Sequence, residues 1–184
     1  MIQKRWFSHK DIESQVLELI RSLQQSAWKP DYVVGLTRGG LYPAVLLSHW
    51  LDVPCETLKV SLRNGNQTES ACWMAEDAFG YAYSNDSDTD PSEIANRKNI
   101  LIVDDINDSG ETIQWIKQDW QSVCMPSSEA WNEIWHENVR FAVLVNNTAS
   151  PSRVDYFATE INKYEHNTWI VFPWEEWWRR QTID

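Results

Sequence analysis

The run Ile100 to Thr112, ILIVDDINDSGET, places residues that can do chemistry beside residues that can only be structural. Four aliphatics lead into adjacent carboxylates, Asp104 and Asp105, and a loop of small residues, Asp108, Ser109 and Gly110, then precedes Glu111 and Thr112. Two like charges near 4 Å repel by about 4 kcal/mol at an effective dielectric of 20, so the acid pair calls for a cation or a ligand carrying one. A helix beginning near Glu111 presents unpaired N–H groups at its start, and small side chains with two hydroxyls there can hold a phosphate. Asp, Ser and Gly also populate such loops for capping alone, so DSG without the acids is weak evidence of a site. A calcium loop is excluded, because counting from Asp105 the twelfth position is Ile116 and not a bidentate Glu. GLTRGG, Gly35 to Gly40, has its outer glycines at the spacing of a nucleoside-triphosphate loop, but Leu41 and Tyr42 stand where Lys and Ser or Thr are required.

These residues need a strand to carry them and a helix to follow. Ile100 to Val103 reads as a strand covered on both faces, with the two acids emerging at its carboxyl edge, where open α/β sheets bind ligands. Ser8 with Asp11 resembles a capping box, and Ile12, Val16, Leu19, Ile20 and Leu23 keep helical spacing, which predicts a helix over 9–26. Tyr32 to Leu36 reads as a buried strand, and Leu41 to Leu51 as a helix with Pro43 tolerated in its first turn. Further strands are expected over 56–62, 140–145 and 154–158, and further helices over 111–121 and 126–137, the latter begun by Ser127 or Ser128. Alternating β and α elements imply an α/β fold with a mostly parallel central sheet flanked by helices. The stretch 63–99 is too long for an ordinary connection, and Ser84 to Glu93 has the composition of a weakly structured excursion.

The chain has 184 residues, 42% of them hydrophobic, which suits one domain over 1–184 with a sizeable core. Three widely spaced cysteines, Cys55, Cys72 and Cys124, form neither a disulfide framework nor a zinc site and point to the cytoplasm. No stretch approaches the roughly 18 apolar residues of a membrane span, and none is expected to insert into a membrane. A formal net charge of -11 argues against nucleic acid as a partner, since that affinity draws on clustered Lys and Arg. It does not argue against an anionic substrate, which backbone amides and Mg²⁺ can neutralise locally.

ILIVDDINDSGET resembles the phosphoribosyl-pyrophosphate signature of the type I phosphoribosyltransferases. Asp31 to Leu51, DYVVGLTRGGLYPAVLLSHWL, is similar to the strand, pyrophosphate loop and helix of the bacterial xanthine-guanine and hypoxanthine enzymes, and NTWIVFPWEEW, Asn167 to Trp177, resembles their purine-binding segment. The resemblance implies a Rossmann-like fold with a flexible lid, placed at Ser61 to Tyr83, and a small C-terminal base-binding hood. It also implies a homo-oligomer, and transfer of a 5-phosphoribosyl group from phosphoribosyl pyrophosphate to a purine base, giving a nucleoside monophosphate and pyrophosphate as in salvage, with Mg²⁺ as cofactor.

By the same resemblance Asp104 and Asp105 hold the ribose hydroxyls and the Mg²⁺. Asp108, Ser109, Gly110, Glu111 and Thr112 cradle the 5′-phosphate, with Glu111 pointing outward. Asp108 also faces the base and transfers a proton at N7; its structural role is a helix cap, and the two roles are compatible. Thr37, Arg38, Gly39 and Gly40 form the pyrophosphate loop, with a cis peptide suggested between Thr37 and Arg38. Trp169 stacks on the base and the Ile170 backbone meets the ring edge. Asn147 stands where related enzymes use a Lys to read a 6-oxo group, and Val171 where the xanthine-guanine enzymes carry a carboxylate near the 2-amino group. Asn both donates and accepts, so it does not select oxo over amino. Trp174, Trp177 and Trp178, at helical spacing, read as packing or a subunit contact. Residues 122–138 look like an insertion of unassigned purpose. Two alternatives remain: phosphoribosyl transfer to a non-purine acceptor, and a non-catalytic sensor of phosphoribosyl pyrophosphate that regulates RNA or DNA.

Overall fold

Five parallel strands order themselves around the apolar run Ile100 to Val103 in a computed structural model that describes residues 3–60, 72–80 and 97–178. Along the chain run β1 (Gln3–Trp6), α1 (His9–Ser26), β2 (Tyr32–Thr37), α2 (Leu41–Leu51), β3 (Cys55–Lys59), α3 (Cys72–Phe79), β4 (Ile100–Asn107), α4 (Glu111–Val123), α5 (Trp131–Ile134), β5 (Val139–Asn147), β6 (Tyr156–Ile161) and β7 (Thr168–Val171). The central sheet has the order β3-β2-β4-β5-β6, every pair parallel, and β1 pairs with β7 in a separate two-stranded parallel sheet.

Helix α1 begins at the capping box read from the sequence: the Asp11 N–H donates to Ser8 Oγ, and the Asp11 carboxylate accepts from the Ser8 backbone N–H. Its buried stripe of Ile12, Val16, Leu19, Ile20 and Leu23 lies on one face of the sheet with α2, against Val33, Leu101, Val103 and Leu144. The opposite face carries α3, α4 and α5. There Trp120, Trp131 and Trp135 are buried together, with Trp131 and Trp135 stacked at 5.3 Å between centroids and the Trp131 Nε1–H donating to the Cys124 carbonyl. The 122–138 segment is therefore an aromatic plug on that face, since burying two indoles supplies apolar area that the short α5 could not otherwise contribute.

Two expectations are corrected. The helix expected over 126–137 is only the turn Trp131–Ile134, entered from Ala130 with no side-chain cap, because Ser128 Oγ instead accepts from the Ala130 N–H one turn earlier. Of the span assigned to a lid, residues 72–79 form α3, whose Met74, Ala75 and Ala78 are buried in the core, so this part is a packed helix. Residues 61–71 and 81–83, and the excursion over 84–93, lie outside the described residues.

Candidate active site

The strand order opens the crevice. Chain connections leave β2 toward β3 on one side and β4 toward β5 on the other, so the carboxyl ends of β2 and β4 diverge at a topological switch point. Thr37 ends β2 there, and β4 continues pairing with β5 through Asn107, which leaves Asp104 and Asp105 on the strand and not beyond it. Both acids are half-buried in the crevice floor. Burial and then the neighbouring Asp105 carboxylate hold Asp104 well above the ordinary carboxylate range. Asp105 is pushed up to about 7 by burial and then by Glu175 across the cleft.

Beside the acids the Thr37–Arg38 peptide is cis, as the resemblance suggested. A Cβ at Gly39 would overlap the Asp105 carboxyl, and one at Gly40 would overlap the Val103 carbonyl. Only residues without side chains let this backbone lie against the acid pair. Arg38 is exposed, and Gly40 starts α2 with no side-chain cap, so the α2 amino end is available to an anion.

On the far side of the acids, Gly110 (φ 79°) starts α4, again with no side-chain cap bond. Asp108 is thus no helix cap, and Glu111 is exposed. A cavity of about 230 Å³ lies between Asp104, Asp105, Asp108, Ser109, Gly110 and Thr112. A cleft of about 790 Å³ shares Asp105 and Thr112 with it and reaches Arg38, Gly39, Tyr42 and Glu175. The loop is braced from behind: the Asn107 amide donates to Asn146 Oδ1 at 2.9 Å and the Ser152 carbonyl at 2.8 Å, and Ser152 Oγ donates to the Gly110 carbonyl at 2.9 Å.

The end of β5 assembles a second group. Register sets Asn107 beside Asn146 and Asn147 beside Ile161, so the loops after β4, β5 and β6 converge. Buried Asn147 does not offer its amide to the crevice. Its Nδ2 donates to the Asp108 carbonyl at 3.0 Å, and its Oδ1 accepts from the Ala149 and Lys163 N–H groups at 3.2 and 3.1 Å. Lys163, from the turn between β6 and β7, brings its ammonium to 2.6 Å from Asp108 Oδ2 and 6.0 Å from the Trp169 ring centroid. Trp169 is half exposed on β7, while Ile170 is buried and in register with Arg5 of β1.

The structure therefore brings together Thr37 to Gly40, Asp104, Asp105 and Asp108 to Thr112 around adjoining cavities, with Asn147, Lys163 and Trp169 at one end. Sequence reasoning missed Lys163, Glu175 and the braces Asn107, Ser150 and Ser152. The small polar residues of TASPS after an apolar strand were a signal for the braces, but Lys163 lies 55 positions from Asp108 and carries no local signature. Trp174 stacks on Phe172 at 5.0 Å and contacts Tyr42, and Trp177 and Trp178 are exposed in a turn that does not continue the helical spacing.

The acid pair also fits a divalent cation. Among the described residues no cluster of three or more His, Cys, Asp or Glu side chains could enclose a metal. Two carboxylates deprived of water and pressed together would be relieved by Mg²⁺, which takes its other ligands from substrate oxygens and water.

Residues 3–180 match the family described as the phosphoribosyl transferase domain. The chain is 27% identical over 150 residues to a xanthine-guanine phosphoribosyltransferase of Cereibacter sphaeroides, covering 81% of this chain and 70% of that one. A purine phosphoribosyltransferase structure from Pyrococcus horikoshii aligns with a TM-score of 0.62 at 24% identity, over 94% of this chain and 95% of the other. A Helicobacter pylori xanthine-guanine-hypoxanthine phosphoribosyltransferase aligns with 0.65 at 18% identity, over 99% and 100%. These two likenesses show the fold.

Proposed function

This chain belongs to the phosphoribosyl transferase domain family, and from that membership we propose that it transfers a 5-phosphoribosyl group from phosphoribosyl pyrophosphate to a purine base. The products are a nucleoside monophosphate and pyrophosphate, as in purine salvage. The observation that carries the reading is the juxtaposition of two uncapped helix starts, at Gly40 and Gly110, on either side of the Asp104 and Asp105 pair. Two anionic groups joined through a sugar match that layout. The relative named as a xanthine-guanine phosphoribosyltransferase supports a purine as acceptor.

The departing pyrophosphate gains negative charge while the ribose gains positive charge, and the site must stabilise both. Arg38 and the α2 amino end meet the pyrophosphate, with the exposed guanidinium free to approach two phosphate oxygens at once. Asp104 and Asp105 hold the ribose hydroxyls and sit under the carbon where positive charge develops. They would also hold Mg²⁺, which supplies charge neutralisation at the pyrophosphate oxygens. Ser109, Thr112 and the α4 amino end take the 5′-phosphate, anchoring the sugar so that its reacting carbon faces the acceptor. Trp169 stacks on the base, with Ile170 behind it in the β1–β7 sheet that serves as the hood, and Asp108 accepts the proton at N7 as N9 bonds to the sugar. Asn147 contributes by bracing Asp108.

No described helix is long and apolar enough to cross a membrane. We further infer a single-domain cytoplasmic enzyme acting as a homo-oligomer, with the exposed Trp177 and Trp178 available to a subunit contact. The test incubates the protein with phosphoribosyl pyrophosphate, Mg²⁺ and a panel of bases. A purine nucleotide product is expected, another nucleotide would replace the acceptor, and donor binding without turnover with any base would replace the enzyme by a sensor.

A further inference from the structure

We propose that Lys117 is a site of covalent modification, an amine activated by a His136 and Asp155 dyad and acylated by a small acyl phosphate. The three side chains stand in one file. Asp155 Oδ1 lies 2.9 Å from His136 Nδ1, and His136 Nε2 lies 3.1 Å from the Lys117 ammonium. A carboxylate can only accept, so Asp155 fixes the imidazole with its hydrogen on Nδ1 and leaves the Nε2 lone pair pointing at Lys117. That is the arrangement of a nucleophile, a base and a group that orients the base. None of the three lines either crevice cavity, and the proposed ribosyl transfer does not use them.

Each member is held from behind. Asp155, whose side chain is 7% exposed, also accepts the Phe141 N–H on Oδ2 at 2.9 Å, and its own N–H donates to the Phe141 carbonyl at 2.9 Å. His136 directly follows the aromatic plug and is held at φ 72°, with its N–H donating to the Val139 carbonyl at 2.8 Å. The 122–138 segment thereby delivers a base to α4, a purpose beyond packing. Lys117 reaches the imidazole across the Trp135 and Phe141 rings, its ammonium 5.5 and 5.7 Å from their centroids. Burial there lowers its pKa from the ordinary 10.5, a fall that Asp155 opposes and Arg153 assists. Arg153 is exposed and makes no hydrogen bond or ion pair among the described residues, so its guanidinium is available to the phosphate of an anionic donor. In the reaction His136 Nε2 takes one proton from the Lys117 ammonium, with Asp155 steadying the imidazolium. The freed Nζ lone pair attacks the acyl carbon, an N–C bond forms, and the C–O bond to phosphate breaks with its electron pair leaving on the phosphate. A second amine proton departs on that phosphate, His136 returns its own to water, and one N–H remains on the new amide.

The test incubates the folded full chain with acetyl phosphate and follows each lysine by peptide mass spectrometry. Lys117 is expected to acylate about tenfold faster or more than the exposed Lys10 and Lys29, although it is more buried than either. Asp155→Asn offers an N–H to His136 Nδ1, which moves the ring hydrogen to Nε2 and removes the base, so Lys117 should fall to the level of Lys10 and Lys29. His136→Asn, which tolerates the positive φ, should do the same, with thermal melts confirming that both variants are folded. Arg153→Gln should cut the Lys117 rate with acetyl phosphate by about threefold and leave the rate with an uncharged acetyl thioester unchanged. Loss with both donors or with neither would overturn acyl phosphate as the donor class. A wild-type Lys117 no faster than Lys10 and Lys29 would overturn the proposal whether or not the variants fold. An undiminished rate in a folded dyad variant would overturn it as well.

Discussion

The donor end and the base end of the crevice are built on opposite plans. At the donor end, Asp104, Asp105 and the phosphate loop follow one another along β4 and into α4, and Gly39 and Gly40 are pressed against them from the adjacent β2. At the base end, Asp108, Asn147, Lys163 and Trp169 come from four separate places in the chain; hydrogen bonds that span 39 and 55 positions join the first three, and the Lys163 ammonium lies over the Trp169 ring. On the proposed function, the phosphate, pyrophosphate and sugar would be handled by backbone geometry that a short motif can encode. Discrimination among bases would rest on side chains, which can be supplied from any element that reaches the same point.

The sharpest separation of the two ends is expected from Asp104→Asn with Asp105→Asn, which should lower turnover by about a thousandfold or more. Because both carboxyls are held above their ordinary value of 3.8 by burial and by acidic neighbours, the folded state binds more protons than the unfolded one between about pH 4 and 7. The acid pair therefore costs stability as pH rises through that window. In metal-free protein the double variant should have an unchanged or higher Tm, with a larger gain at pH 8 than at pH 5. Wild-type rates in the variant would remove these acids from the reaction, and a Tm loss at pH 8 would show that they also hold the fold.

Asn147→Ala should break the base end without touching the donor end. Removing the buried amide strips an acceptor from the Lys163 and Ala149 N–H groups, a cost of about 1–3 kcal/mol. The KM for the base should rise by roughly 10- to 50-fold while donor affinity measured by calorimetry changes far less. An equal loss at both sites would mean that the two ends are one mechanical unit.

Trp169→Ala follows with a smaller effect. Stacking on an aromatic platform is worth about 1–3 kcal/mol per base, so the KM for the base should rise about tenfold, with little change in Tm because the ring is half exposed. Equal losses in base and donor binding would make Trp169 a packing residue.

Ser8→Ala supplies the baseline, since the α1 capping box belongs to neither end. It should cost about 1 kcal/mol of stability and leave both KM values alone. The Ser8 backbone and hydroxyl hold the Asp11 carboxylate below its ordinary pKa, so the contribution of Asp11 is present above that ordinary value. It is lost as pH falls through the lower, folded value. The Tm difference between wild type and Ser8→Ala should accordingly shrink in acid, as read by thermal melts between pH 3 and 7.

Much of the scaffold was legible in the sequence because it follows from local pattern. The α1 bounds came from one cap and a repeated apolar stripe, and α2 spans Leu41 to Leu51 as expected, with Pro43 in its first turn. Pattern failed where backbone groups found other partners. The strand after Val103 persists to Asn107 because β5 supplies ladder partners to residues whose side chains are polar. The helix expected from Pro126 shrinks to Trp131–Ile134 because burial of two indoles, and not helical propensity, organises that segment. At the site, the acid pair, the glycine loop and the phosphate loop could be named in advance. Glu175 facing Asp105, and Ser152 bracing Gly110, could not.

By itself the sequence determined a parallel α/β sheet, the acids at the end of its central strand and the small-residue loop that follows. Each of these is a relation between residues a few positions apart, enforced by strand and helix periodicity. Only the tertiary structure decided which cation stands beside Asp108. Strand register carries the β6–β7 turn to the loop after β4, and no property of Lys163 or its neighbours along the chain specifies that meeting.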